Sequence, residues 1–166
     1  MIMAQVQIRP YLAEDWPRLC AIHDAARLDE LRLSAGEDSF LTLEQTAENE
    51  ELFAGEVAVA LVDGEVQGFV AYRPDELSWL YVSPAAYRRG VGRALVRHVL
   101  SASRQPLTVE VLEGNEPALS LYLSEGFTVE RRIAGRLEGN EAFPAVGLVL
   151  RHPGRSGDEP DAAILP

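Results

Sequence analysis

The run Tyr87-Arg88-Arg89-Gly90-Val91-Gly92-Arg93 sets three arginines around two glycines, a combination suited to a multiply charged phosphate. Glycine at 90 and 92 lets the backbone turn tightly and brings consecutive N–H groups close to an anion, where a Cβ atom would block the approach. Val91, Ala94, Leu95, His98, Val99 and Ala102 then keep helical spacing, so the turn opens an amphipathic helix whose first unpaired amides add positive partial charge. Arg88, Arg89 and Arg93 supply full charge and directional donors. A dinucleotide-binding fingerprint would want a third glycine where Leu95 stands, and a P-loop would need Lys followed by Ser or Thr near the helix start. On this segment alone, a glycine turn with solvated arginines remains the alternative.

A second set of residues follows the pattern Asn-x-x-Ala-x-x-x-Tyr-x-x-x-Gly-Phe: Asn115, Ala118, Tyr122, Gly126 and Phe127. Ala118 and Tyr122 are four apart and share a helical face, the small residue clearing room beside the phenol. A phenol with a pKa near 10 is matched to giving a proton to a departing thiolate of similar basicity. Taken by itself, such a tyrosine is more often a packed aromatic with a satisfied hydroxyl.

These two sets need elements to hold them. Val6–Arg9 alternates like a short strand, and a helix is expected from about Glu14 to Arg27, with Trp16, Leu19, Ile22 and Ala26 on one face. Residues 29–42 show weak periodicity, and Leu43–Phe53 reads as a second helix stopped at Gly55. Glu56–Val62 and Glu65–Arg73 flank Asp63-Gly64, a dipeptide suited to a tight hairpin. A third strand, Glu76–Val82, leads through Ser83-Pro84 into the glycine turn. Leu107–Leu112 is expected as a strand, Glu116–Glu125 as a helix, and Phe127–Arg132 and Ala145–Arg151 as strands that complete the sheet, with 134–144 a loop. Residues 1–152 form one domain in this reading, and 153–166, rich in Gly, Pro and Asp, a flexible tail.

The length of 166 residues suits one domain, and a quarter of the residues are charged, as in ordinary globular chains. Fifteen basic against twenty-six acidic residues give a net charge of −11, which opposes binding to nucleic acid or anionic lipid. The single cysteine, Cys20, excludes an internal disulfide and sits among apolar neighbours. No apolar run reaches membrane-spanning length and no basic leader precedes a hydrophobic core, so a cytoplasmic protein is expected. His98 can face the core side of the long helix, His23 and His152 lack partners at ligand spacing, and no metal site is expected.

Taken together, the two constellations resemble the GNAT family of acetyl-CoA-dependent N-acetyltransferases. The likeness runs from Gln5 to about Arg151 and includes Ile8-Arg9-Pro10, Asp15-Trp16 and the Asp63-Gly64 hairpin. It implies an α/β (α+β) fold: a central mixed, mostly antiparallel sheet of about seven strands, helices on both faces, and strands four and five splayed around the pantetheine arm. The donor would be acetyl-CoA, and the acceptor a primary amine of a small molecule, peptide or protein. Neither nucleic acid nor membrane is an implied partner, and a homodimer is left open. Backbone groups of Leu80 and Val82, with Tyr81 between them, would meet the pantetheine amides. Arg88, Arg89, Gly90, Val91, Gly92 and Arg93 would hold the pyrophosphate, and Asn115 and Tyr122 would also contact the coenzyme.

The resemblance further implies direct attack of the amine on the thioester, a strand-four N–H such as that of Val82 facing the developing oxyanion, and Tyr122 as general acid. Glu76, at the start of strand four, is the favoured base, with Asp75 competing. The residue three before the first glycine is commonly Gln or Arg in the family, and here it is Tyr87. Residues 29–42 and 134–144 would set acceptor choice, with Glu37, Asp38, Glu138 and Glu141 favouring a cation. A non-catalytic acyl-CoA sensor is the competing reading.

Overall fold

Asp63 and Gly64 both take left-handed φ angles, 53° and 81°, the geometry that matches a two-residue hairpin to the twist of its strands. The computed structural model describes residues 5–154. Within them the hairpin joins β2 (Glu56–Val62) to β3 (Glu65–Arg73), and β1 (Val6–Pro10) and β4 (Glu76–Val82) flank the pair antiparallel. The second half of the sheet holds β5 (Leu107–Leu112), β6 (Thr128–Leu137) and β7 (Asn140–His152). The seven strands run in the order β1-β2-β3-β4-β5-β7-β6.

Among the described residues, four α-helices cover the two faces: α1 (Trp16–Leu33), α2 (Leu43–Thr46), α3 (Val91–Ala102) and α4 (Glu116–Ser124). On one face α3 buries Val91, Leu95, Val96 and Val99 against Ala60, Val70, Leu107 and Leu150, with Tyr122 and Phe127 of the α4 segment in the same core. On the other face Leu19 and Ile22 of α1 and Leu43 of α2 pack against Val59, Phe69 and Trp79. Each fully buried Leu or Val contributes about 1.5–3 kcal/mol, so both faces are anchored and β4, shared between them, is held from each side.

Between β4 and β5 the sheet opens. The two strands run parallel and pair at a single rung, Glu76 with Thr108, supported by the Thr108 amide donating to the Asp75 carbonyl at 3.0 Å. Beyond that rung β4 has no strand on its β5 side. The expected fold class, including the splayed fourth and fifth strands, is the one observed.

Three element boundaries differ from expectation. Helix α1 continues six residues past Arg27, carried by ion pairs Arg27–Glu30 and Asp29–Arg32 spaced three apart, and ends where Gly36 takes a φ of 96°. The second helix is one turn only: Glu51 takes a left-handed φ of 55° and the Leu52 amide reaches back to the Ala47 carbonyl at 2.9 Å. The loop expected over 134–144 is instead the tip of a long hairpin, paired from Ala134↔Val146 to Arg136↔Pro144 and, after a register shift, at Leu137↔Asn140. Nearly all of β6 is exposed, so it lacks the apolar alternation by which strands are recognised. Pro144 is tolerated because β5 pairs with β7 only from Gly147 onward. The expected tail lies, from residue 155, outside the described residues.

Candidate active site

The turn ahead of α3 is built by backbone conformation. Gly90 caps the helix with φ 80° and ψ 10°, and Arg88, two residues earlier, adopts φ 64°, a region that disfavours a side chain and marks a turn fixed by its surroundings. Alternation of left-handed residues points successive amides inward. Among the described residues, no amide from Arg88 to Arg93 donates to a backbone carbonyl; the first bond of the helix is Ala94 N–H to Gly90 C=O at 3.0 Å. Arg88 and Arg89 are exposed beside this turn. Arg93 instead turns to α4, donating to Glu125 at 2.5 Å and to Ser124 Oγ at 3.0 Å.

Strand β4 supplies the next stretch. The Ser83 amide donates to Gln67 O at 2.7 Å, toward β3. Strand alternation then gives Tyr81 the same side and turns the peptide groups of Leu80 and Val82 to the open side, facing the split. Their side chains face the α3 core, whereas Trp79 and Tyr81 face α1.

Tyr122 stands on the α3 side of the split, 4% exposed, its ring edge-on to Phe127 with centroids 5.3 Å apart. Burial, with the negative charge of Glu30 adding to it, pushes its phenol above the ordinary tyrosine range, so it is held as the protonated acid. Asn115 caps α4, its Oδ1 accepting from the Ala118 amide at 3.3 Å, while its Nδ2 donates to Glu30 at 3.1 Å.

On the α1 side lies a cleft of about 440 Å³, bordered by β4, β5, α1, the α2 turn and the β6–β7 hairpin. Glu30, Glu50, Glu51, Glu76, Glu110 and Glu138 line it, with Arg27, Arg73 and Arg136 among them. Glu76 therefore opens into this cleft, at the closed end of the split, while Tyr122 is on the opposite side. Arg27 is bonded to Glu30. Burial, only partly offset by Arg27, pushes the Glu50 carboxyl up to about 7, and Glu138 and Glu141 add to the shift. His23, 2% exposed and bonded to Asp24 at 2.9 Å, is held below the ordinary histidine range by burial. The hairpin tip closes the cleft, Asn140 donating to Ser39 O at 2.8 Å.

A slot between two strands, unpaired amides at one end, a buried phenol on one side and an acid-lined cleft on the other together define a donor-and-acceptor arrangement. The profile of the Acetyltransferase (GNAT) family matches residues 13–127. The chain belongs to this family.

Among its relatives, the peptidyl-lysine N-acetyltransferase YiaC of Escherichia coli is 39% identical over 69 residues, covering 40% of this chain. That match spans 46% of the length of YiaC. A GCN5-related N-acetyltransferase from Rhodopseudomonas palustris shares the fold with a TM-score of 0.76 at 22% identity, over 92% of this chain and 98% of that one. The yncA structure of Salmonella typhimurium, solved with its cofactor acetyl-CoA, superposes with a TM-score of 0.65 at 19% identity, over 90% of this GNAT chain and 94% of its own.

Sequence reasoning missed Arg27, Glu30, Glu50 and Glu110. Arg27 and Glu30 carried one legible signal, their spacing of three on a helix. Glu50 and Glu110 carried none, because only the chain path brings them to one cleft.

Proposed function

We propose that this GNAT protein transfers the acetyl group of acetyl-CoA to a cationic primary amine, with the lysine side chain of a peptide or protein as the preferred class. The observation that carries the reading is the β4–β5 split, which joins the unpaired amides of the α3 turn to the acid-lined cleft. The surplus of carboxylates there favours a protonated amine. The acceptor named for YiaC, a peptidyl lysine, agrees with that charge.

In this reading the amides from Arg88 to Gly92 hold the pyrophosphate with help from the Arg88 and Arg89 side chains, and the peptide groups of Leu80 and Val82 take the pantetheine amides. Arg93 acts indirectly, steadying the helix start through Glu125. Glu76 accepts the proton that the ammonium must lose before its nitrogen can bond to the acetyl carbon. The Val82 N–H faces the carbonyl oxygen as charge develops there. As the carbon–sulfur bond breaks, Tyr122 gives its proton to the sulfur. The nitrogen, now bonded to the acetyl carbon, releases its second proton, which restores the phenol by way of solvent. The products are the amide and the free thiol, and the proton on Glu76 passes to solvent. No helix among the described residues is long and apolar enough to cross a membrane, and a cytoplasmic setting fits a donor that is a metabolic cofactor.

The test is release of free thiol from acetyl-CoA against lysine-bearing peptides, free lysine, and neutral or anionic amines. Turnover confined to cationic amines, highest on peptides, is the expected result. Tight acetyl-CoA binding with no transfer to any amine would favour the sensor instead.

A further inference from the structure

The split is held at its closed end by the Glu76–Thr108 rung, and at its open end by one side chain. Glu30 of α1 accepts the Tyr81 hydroxyl through Oε1 at 3.1 Å and the Asn115 amide through Oε2 at 3.1 Å. Tyr81 belongs to β4 and Asn115 follows β5, so a single carboxylate spans two elements that share no ladder there. Arg27 steadies the carboxylate from the same helix. Behind it, the Leu33 carbonyl backs onto residue 114 so closely that any side chain larger than that of Gly114 would overlap it.

We infer that Glu30 is a positioning residue that sets the width of the donor slot and the orientation of Asn115. Both partners are donors, so both need an acceptor, and a carboxylate has two oxygens to offer. Asn115 uses its carbonyl oxygen to cap α4, which obliges its NH2 group to face Glu30. One amide proton is taken by that bond and the second stays available to the donor molecule. The inference rests on the acetyl-CoA reading of the split.

Glu30→Gln tests it, because a carboxamide offers one oxygen where two donors wait. Tyr81→Phe removes one arm without touching charge, and therefore covers the case in which the Glu30 variant folds poorly. Calorimetry with acetyl-CoA and steady-state kinetics with a lysine peptide are run on both variants and on the double variant, well below their melting temperatures. The expected result is an acetyl-CoA Kd raised about 10-fold in Glu30→Gln and about 3-fold in Tyr81→Phe, less than additive in the double variant, with peptide KM within 2-fold in Tyr81→Phe, which leaves the charge of the acceptor cleft unaltered. A residue that merely stabilised the fold would lower the melting temperature and leave Kd unchanged. Kd within 2-fold of the parent in both variants would overturn the inference alone. Failure of the parent chain to bind acetyl-CoA would overturn the acetyl-CoA reading and this inference together.

Discussion

The Tyr87 hydroxyl donates to the Asp29 carboxylate at 3.0 Å, so the turn ahead of α3 is tied to α1 at the position where the family commonly carries Gln or Arg. Partial screening of its hydroxyl from water, then the bond to Asp29, lifts the phenol above its usual range although the residue is exposed, and the hydroxyl stays a donor near neutral pH. Tyr87→Phe should weaken acetyl-CoA binding about 3-fold, the size of one surface hydrogen bond, and leave peptide KM unchanged. Titration calorimetry on the two proteins measures the difference.

Removing the Tyr122 hydroxyl isolates the acid step. Tyr122→Phe keeps the ring against Phe127 and should lower kcat by about 100-fold, the lower end for general acid catalysis, with acetyl-CoA affinity unchanged. Equal losses in kcat and affinity would assign the residue to binding.

Glu76→Gln should flatten the acidic limb of the kcat/KM profile against pH, since the side chain would no longer take a proton. A profile that keeps its limb would pass the role to another cleft carboxylate, and a parallel profile on Glu50→Gln would then identify it.

Glu50 also bears on stability. Its folded carboxyl titrates at about 7, raised from the ordinary 4.5 by burial, so the folded state holds a proton that the unfolded chain releases. That contribution is complete below about 4.5 and is lost as pH rises to about 7. The melting temperature of the parent chain should therefore fall relative to that of Glu50→Gln over this window, the difference isolating Glu50 from the other buried titrating groups.

Asp15 works in the opposite sense. Arg9 grips both of its oxygens, at 2.8 and 2.9 Å, and the Leu12 amide adds a bond at 2.9 Å; the Arg9 contact leads in holding the carboxyl below its ordinary value. Its stabilisation is present above the ordinary carboxylate range and disappears as pH falls through the depressed value. Asp15→Asn should cost about 1–3 kcal/mol near neutral pH, measurable by urea denaturation.

The sheet was legible wherever local chemistry agreed with the final pairing. Asp63-Gly64 dictates its own turn, β2 to β4 are apolar runs of strand length, and the glycines at 90 and 92 mark a helix opening that no ordinary cap would explain. The two strands of the β6–β7 ribbon were legible at their base, over 127–132 and 145–151, but its tip over 134–144 was not, because β6 is exposed almost throughout and its backbone ladder there leaves no pattern in the side chains. The acceptor cleft was legible only in Glu76 and Glu138. Glu30, Glu50 and Glu110 come from a helix, a turn and a strand far apart in the chain, and register alone makes them neighbours.

A lone rung between Glu76 and Thr108 divides the sheet into two hydrogen-bonded blocks, β1–β4 and β5–β7. Such a seam lets one block breathe against the other while each stays intact. Amide exchange should accordingly show two protection classes that merge when acetyl-CoA is added, the molecule acting as mortar for a joint that the polypeptide leaves open.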